Sequence, residues 1–197
     1  VSRLKIAVIP LYIHAGGREY LDGIDISRQE FYEKLPNFHE HPTTAVPSQH
    51  KFKAVYDALA DEGATQVLSI HISETLSAIV NVARAAAAET TSLPVTVLDS
   101  GQLSLGIGFL VQKAAELALE GQTVEQILPI LENQMQRTHV WAALDTLNFL
   151  RRSGRMNAVV STIGEIFQIK PILKMFNGVS GAEKVRTRKT AIARLKT

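Results

Sequence analysis

The chain contains no cysteine, which removes disulfides, thiolate nucleophiles, Cys-based zinc sites and iron–sulfur clusters together. No apolar run reaches the roughly 20 residues that a membrane-spanning helix needs. The longest run of small residues, 85–88, sits between Arg84 and Glu89, and no signal-peptide pattern precedes the strand-like start at residues 4–9. Aromatic residues are few, at 6%. The basic C-terminal stretch offers only Phe167 and Phe176, too sparse to interleave with charge as on a nucleic-acid surface. Catalytic templates are missing as well: no Gly-x-Ser-x-Gly elbow, P-loop, His-Glu-x-x-His or Gly-x-Gly-x-x-Gly is present. His39-Glu40-His41 lies in a proline-flanked loop with no third ligand at a telling spacing, so no metal is expected there.

What remains is an ordinary globular composition, 46% hydrophobic over 197 residues, long enough for one large domain, or for one domain and part of another, without a metal or disulfide staple. The absence of cysteine fits a reducing interior, and the expected location is cytoplasmic. Charge is unevenly placed. Residues 1–150 carry 10 Lys/Arg against 17 Asp/Glu, a net of −7, whereas residues 151–197 carry 11 against 2, a net of +9. Such a split suits an anionic partner, or else a solvated face balanced elsewhere in the fold. The C-terminal residues 191–197 stop inside a helical pattern without a cap, and the chain reads as a segment of a longer protein.

Periodicity predicts strands over 4–13, 65–72, 94–98 and 140–144. The first is broken by Ala15-Gly16-Gly17. Helices are predicted from Ser27-x-x-Glu30 to Leu35, from Ser48 to about Gly63, and over 76–90, 103–120, 123–137 and 146–152. Residues 36–47 hold three prolines and read as a loop. Strands alternating with helices mean βαβ units, so the expected class is α/β, a parallel sheet flanked by helices. After Gly154 the rhythm changes: residues 169–176 and 179–186 flank Asn177-Gly178, a strong hairpin signal. The expected division is an α/β lobe over 1–154 and, over 155–197, a β-hairpin with the start of the connection to a second lobe.

In open parallel sheets, ligands sit beyond the carboxyl ends of strands. Three loops at such places are rich in hydroxyls: residues 42–48, 71–77 and 99–101. Ser and Thr donate to a carboxylate without burying a counter-charge, and helix N-termini add free N–H groups. Each hydroxyl could equally be a helix cap. A cap suits Ser48 and is an even alternative for Ser73, but it explains Thr44 poorly. His71 ends a strand beside the second loop, as a donor or a satisfied core histidine; a Ser77/His71/Asp99 assembly is conceivable. Gly106 and Gly108 weaken a helical stretch. They imply close packing against a strand or an apolar ligand lying along the helix.

At these loops the sequence resembles the DegV family. The resemblance runs in order through Pro42-x-Thr44-x-x-Pro47-Ser48, Ile70-His71-Ile72-Ser73-x-x-Leu76-Ser77, Val97-Leu98-Asp99-Ser100 and Gly106-x-Gly108. It continues through Leu147-x-x-Leu150-x-x-x-Gly154-Arg155, Ile169-Lys170-Pro171-Ile172 and Lys184-Val185-Arg186-Thr187. It implies a protein that binds one long-chain fatty acid, such as palmitate, between two lobes and presents it to an ATP-dependent kinase that makes the acyl-phosphate. The family's C-terminal lobe is not found in these residues. By the same resemblance Thr44 and Ser77 hold the carboxylate, and His71, Ser73, Ser100, Gly106, Gly108 and Arg155 lie in the pocket's vicinity. Arg186 falls where the family meets its kinase. No cofactor beyond the bound acid is implied, and the protein is expected to carry lipid rather than catalyse. The alternative is a small-molecule phosphotransferase or hydrolase, because the family's fold resembles that of dihydroxyacetone kinases. The sequence departs from the family at Ala45, Val46, Glu74, Ala78 and Ser153. Of these, Glu74 brings a negative charge toward the expected headgroup unless it points to solvent.

Overall fold

The structure is a computed structural model and describes residues 2–155 and 170–196. The chain forms two compact units: residues up to Val67 together with Asn81–Thr96, and Leu68–Val80 together with the chain from Val97 onward.

In the first unit, β1 (Tyr12–Ala15) pairs antiparallel with both β2 (Arg18–Leu21) and β3 (Thr43–Ala45), giving the order β2-β1-β3. Gly16-Gly17 is the two-residue turn of the β1–β2 hairpin, because both glycines take positive φ, 57° and 73°. Ile13, Ala15 and Ile26 are buried beneath Tyr20, Phe31 and Phe38. The expected caps are in place. The Ser27 hydroxyl accepts from the Glu30 N–H at the start of α1 (Arg28–Lys34), and that of Ser48 from the Lys51 N–H at the start of α2 (Gln49–Asp61). Phe52 and Tyr56, one turn apart on α2, are buried.

Two expectations are corrected in this unit. Residues 4–13 do not form a buried strand: Ser2–Leu4 is a 3-10 turn, Lys5 is left-handed at φ 51°, and Val8 is 64% exposed. A left-handed residue ends an extended run, and the ladder starts only at Tyr12, where partners exist. Residues 36–47 are not all loop, since β3 forms between Pro42 and Pro47 on the edge of the sheet, where a short strand tolerates flanking prolines.

β4 (Val67–His71) and β5 (Val95–Asp99) pair side by side. The Val67 N–H meets the Pro94 carbonyl at one end and the Ser100 N–H meets the His71 carbonyl at the other, so the strands run parallel. In the second unit Leu68, Ile70 and Leu98 pack on α4 (Leu105–Leu119) and α5 (Val124–Met135), whose Leu110, Ala114, Leu117, Ile127 and Leu131 are buried. This is the expected α/β arrangement. Both Leu110 and Leu131 are fully enclosed, so truncating either to Ala removes roughly 2–5 kcal/mol.

β6 (Val140–Ala143) departs from the expected parallel rhythm. It pairs antiparallel with β7 (Lys170–Phe176), which pairs antiparallel with β8 (Val179–Val185), in the order β6-β7-β8. A strand's neighbours are set by non-local pairing, which its own hydrophobic pattern does not encode. The predicted ribbon is therefore two strands of a three-stranded sheet, turning at Asn177-Gly178 as expected; Ile169, its first expected residue, lies outside the described residues. Ahead of the ribbon lies α6 (Asn148–Arg152), and after it α7 (Arg188–Leu195), capped by Thr187.

Candidate functional site

In the second unit the loops that leave the carboxyl ends of β4 and β5 are fastened to each other. The Asp99 carboxylate accepts from the Glu74 N–H at 3.3 Å and from the Gly101 N–H at 3.0 Å. The Ser73 N–H donates to the Gln102 carbonyl at 2.9 Å, and the Gln102 N–H donates to Ser100 Oγ at 3.1 Å. Ser73, Ser100 and Gln102 are fully buried, so these hydroxyls act within the loops. Ser73 Oγ lies 2.9 Å from Thr75 Oγ1. The Ser77 hydroxyl, half-buried, accepts from the Ile79 N–H at 3.3 Å, at the start of α3 (Ile79–Glu89). That bond uses one lone pair and leaves the hydroxyl's own proton for another acceptor. Glu74 is exposed.

The tip of the β7–β8 hairpin rests on the same loops. The Gly178 N–H donates to the Gly101 carbonyl at 2.8 Å. A Cβ on Gly101 would lie 2.8 Å from that nitrogen, and one on Gly178 would lie 3.8 Å from Ser73 Oγ. Sequence reasoning found the turn and the loop but not their contact. Its signal is the pairing of Asp99-Ser100-Gly101 with Asn177-Gly178, two glycine-bearing turns, which is readable only in three dimensions.

His71 Nε2 lies 2.8 Å from Ser69 Oγ, and burial pushes the imidazole down to about 4 against the upward pull of Asp99. At neutral pH it is an uncharged, hydrogen-bonded and partly buried histidine. Ser69 escaped the sequence reading, although residues two apart on a strand share a face. The conceivable Ser77/His71/Asp99 assembly has different partners here: Ser69 for His71, the Ile79 N–H for Ser77, and two backbone N–H groups for Asp99. A folded-state value of about 4, below the ordinary 6.5, means the unfolded chain takes the proton first. Stability from this group is therefore complete above pH 6.5 and is lost as pH falls toward 4, by at most about 3 kcal/mol. His71→Gln should flatten the acid limb of urea stability between those values. An acid limb identical to that of the wild type would refute the assignment.

At the start of α4, Ser104 is held at φ 52°, ψ −130° without a side-chain cap, a strained conformation for a residue with a Cβ. Gln102 donates from Nε2 to the Thr138 carbonyl at 2.8 Å, while its buried Oε1 has no partner among the described residues. Gly106 is buried against Val140 and Gln102, but Gly108 is exposed with nothing within 4 Å of its added Cβ. The packing explanation thus holds for Gly106 alone.

Thr44 belongs to the first unit. It is exposed on β3, opposite Ile13 of β1, rather than in mid-loop. Arg155 is exposed and its Nη1 donates to the Ser153 carbonyl at 2.8 Å. Arg186 is exposed between β8 and α7. Glu183 bonds both Lys174 at 2.8 Å and Arg194 at 2.9 Å, while Lys184, Arg186, Arg188 and Lys189 stand exposed around it in sequence. Among the described residues no group of three or more His, Asp or Glu could hold a metal ion, and no helix is long and apolar enough to cross a membrane.

A family model described as "Uncharacterised protein, DegV family" matches residues 1–197. The chain belongs to the DegV family. It is 38% identical over 196 residues to a DegV domain-containing protein of Deinococcus radiodurans, covering 99% of this chain and 69% of that protein. A DegV domain-containing protein of Listeria monocytogenes is 34% identical over 98% of the chain and 69% of its own length. Among solved structures, a DegV family protein from Thermus thermophilus, described by its fatty acid binding, superposes with a TM-score of 0.87. Its identity is 38%, and the match covers 99% of this chain and 70% of that one. DegV from Bacillus subtilis, described as a fatty acid binding protein, gives 0.89 at 34% identity with the same coverage. These DegV proteins share the mixed α/β fold found here, as the ordered motifs implied.

Proposed function

We propose that this DegV chain binds one long-chain fatty acid, with the carboxylate held by the hydroxyls of Thr44 and Ser77, and presents it to a partner kinase for acyl-phosphate formation. The observation that carries the reading is its likeness, at 38% and 34% identity over 99% of the chain, to two solved proteins described as fatty-acid binding. Physical chemistry agrees with it. An acyl chain contributes roughly 0.8 kcal/mol per buried CH₂, so greasy walls supply affinity and a few neutral donors supply orientation. Thr44 and Ser77 offer such donors without a buried counter-charge, and Glu74 is exposed, where solvent screens its charge. His71, neutral at physiological pH, Ser73 and Ser100 shape the loops; Gly106 and Gly108 shape the α4 wall, and Arg155 flanks the pocket. On this reading the chain acts in the cytoplasm as a carrier without chemistry of its own.

The test is native mass spectrometry with organic extraction of the protein as purified from bacteria. A bound mass that releases a C16 or C18 acid supports the carrier; an apo mass with no uptake of added palmitate overturns it. The kinase-facing role falls to Arg186 and its basic neighbours. Arg186→Glu should leave fatty-acid retention unchanged and slow acyl-phosphate formation by the kinase, with an effect that shrinks as salt rises. Equal rates for both proteins at low salt would remove Arg186 from that interface.

A further inference from the structure

Where α4 and α5 lie side by side in the second unit, Lys113, Pro129, Ile130, Asn133, Gln134 and Arg137 line a groove of about 360 Å³. No residue of the hydroxyl-bearing loops takes part in it. Its charge is out of keeping with its surroundings. Residues 105–137 hold four carboxylates, Glu116, Glu120, Glu125 and Glu132, and two cations, and both cations line this one groove. Neither forms an ion pair among the described residues. Glu116, one turn from Lys113, instead accepts from Gln112 Nε2 at 2.8 Å. Lys113 is nevertheless partly buried. Arg137 is held in place by its Nε, which donates to the Asn133 carbonyl at 3.3 Å and leaves the terminal nitrogens for an oxygen pair.

The wall of the groove carries a second oddity. Pro129 stands inside α5, where it withholds an N–H from the helix ladder and crowds the preceding turn. It is exposed, so no burial offsets that cost. What it supplies is a stiff apolar surface beside Ile130, which is itself 37% exposed. Asn133 and Gln134 add two carboxamides whose side chains make no hydrogen bond among the described residues. A carboxamide both donates and accepts, as a peptide backbone does. Cations, carboxamides and a small apolar wall therefore meet in one place.

We infer that this groove docks an acidic segment of a partner protein. Lys113 and Arg137 grip an Asp or Glu carboxylate, Asn133 and Gln134 bond the backbone beside it, and a neighbouring aliphatic side chain rests on Pro129 and Ile130. Pro129, Ile130, Asn133 and Arg137 are all exposed, so the groove is too open to enclose a small molecule, which binds with most of its surface buried. A protein segment needs only one side of itself covered. The carboxylates around the groove repel an acidic chain everywhere else on these helices, so the two cations also fix where it settles. The inference goes beyond the fatty-acid reading and is independent of it.

The experiment pans a library of random short peptides against the full chain and measures the selected peptides by fluorescence anisotropy. The wild type should enrich sequences in which Asp or Glu stands beside Leu, Ile or Val. Lys113→Glu and Arg137→Glu should each weaken these peptides about tenfold, with a smaller effect at high salt, and the double reversal should select basic peptides instead. Arg186→Glu should leave the selection unchanged, which separates the groove from the basic C-terminal stretch. Pro129→Ala should raise Tm by about 5 °C and still weaken the same peptides, so its lost binding is not lost fold. Acidic peptides that bind the double reversal as well as the wild type overturn the inference, and so does a selection without acidic preference. Binding of free citrate or phosphate that Lys113→Glu abolishes, with no peptide enriched, also overturns it and makes the groove a small-anion site. Uptake of palmitate, or its absence, decides the fatty-acid reading alone.

Discussion

Replacing Thr44 by Val and Ser77 by Ala together should leave the protein folded and strip it of retained fatty acid. Thr44 is exposed on an edge strand and accepts valine of nearly the same shape and similar strand preference. Ser77→Ala removes the bond from the Ile79 N–H at the start of α3, a cost of about 0.5–1 kcal/mol. The fold should bear that. A hydroxyl hydrogen bond to an ionised carboxylate contributes about 1.5–3 kcal/mol, so losing two weakens binding by about 10²- to 10⁴-fold. Each single variant should lose about the square root of that. The measurement is palmitate affinity beside far-UV circular dichroism and Tm. A double variant that still purifies with a full complement of lipid would remove both hydroxyls from the headgroup site. A variant that loses lipid and several degrees of Tm together would be resolved by Ser77→Thr, which keeps the hydroxyl and should keep the ligand.

Local chemistry made much of this fold legible in the sequence. Ser27 and Ser48 cap the helices they precede, and the Gln126 side chain accepts from the Thr123 N–H at 2.9 Å to start α5. Asn177-Gly178 turns the ribbon because both residues take positive φ, 45° and 75°. What escaped was decided by partners distant in sequence. Residues 4–13 have the composition of a strand, but only from Tyr12 is there anything to pair with. Gly16-Gly17 carries its own signal, a two-glycine turn between runs of strand-forming residues, although read along a single strand it looks only like a break. β6 has an ordinary strand pattern; that it joins β7 antiparallel depends on a chain segment thirty residues on, which no local rule reads.

The candidate site divides in the same way. Loops at the carboxyl ends of β4 and β5 were foreseeable from the βαβ rhythm, and the hydroxyls stand in them as expected. Their roles were not. Ser73 and Ser100 are buried and bonded within the loops, whereas Ser77 is only half-buried. The sequence offers all three alike, since a hydroxyl serves equally as cap, brace or ligand donor until burial separates them. Gly106 and Gly108 show the same limit. Two glycines in one helix look equivalent on paper, but one faces Val140 and the other faces nothing.

Gly101→Ala should be among the most destabilising single substitutions in the second unit, lowering stability by about 3 kcal/mol and Tm by roughly 6–12 °C. Gly101 takes φ +57°, where an L side chain costs about 1–2 kcal/mol. The added Cβ also lies 2.8 Å from the Gly178 nitrogen, 3.2 Å from the Asn177 carbonyl carbon and 3.3 Å from its Cα. All three are backbone atoms, so no side chain can rotate away. Either the hairpin tip lifts and the Gly178 N–H loses the Gly101 carbonyl, or the loop shifts and Asp99 loses its grip on the Gly101 and Glu74 N–H groups. Gly178→Ala is the informative comparison. Its φ of +75° carries the same strain, but its Cβ meets only Ser73 Oγ at 3.8 Å, an ordinary contact. It should therefore lose only the conformational part, about 1–2 kcal/mol. Equal losses in the two variants would show that backbone strain, not the contact between the turns, sets the cost. Hydrogen exchange then tells which side gives way. A faster Gly178 amide with Glu74 unchanged means the hairpin tip lifts, and palmitate affinity should hold. A faster Glu74 amide means the loop bearing Ser77 has moved, and affinity should fall with it.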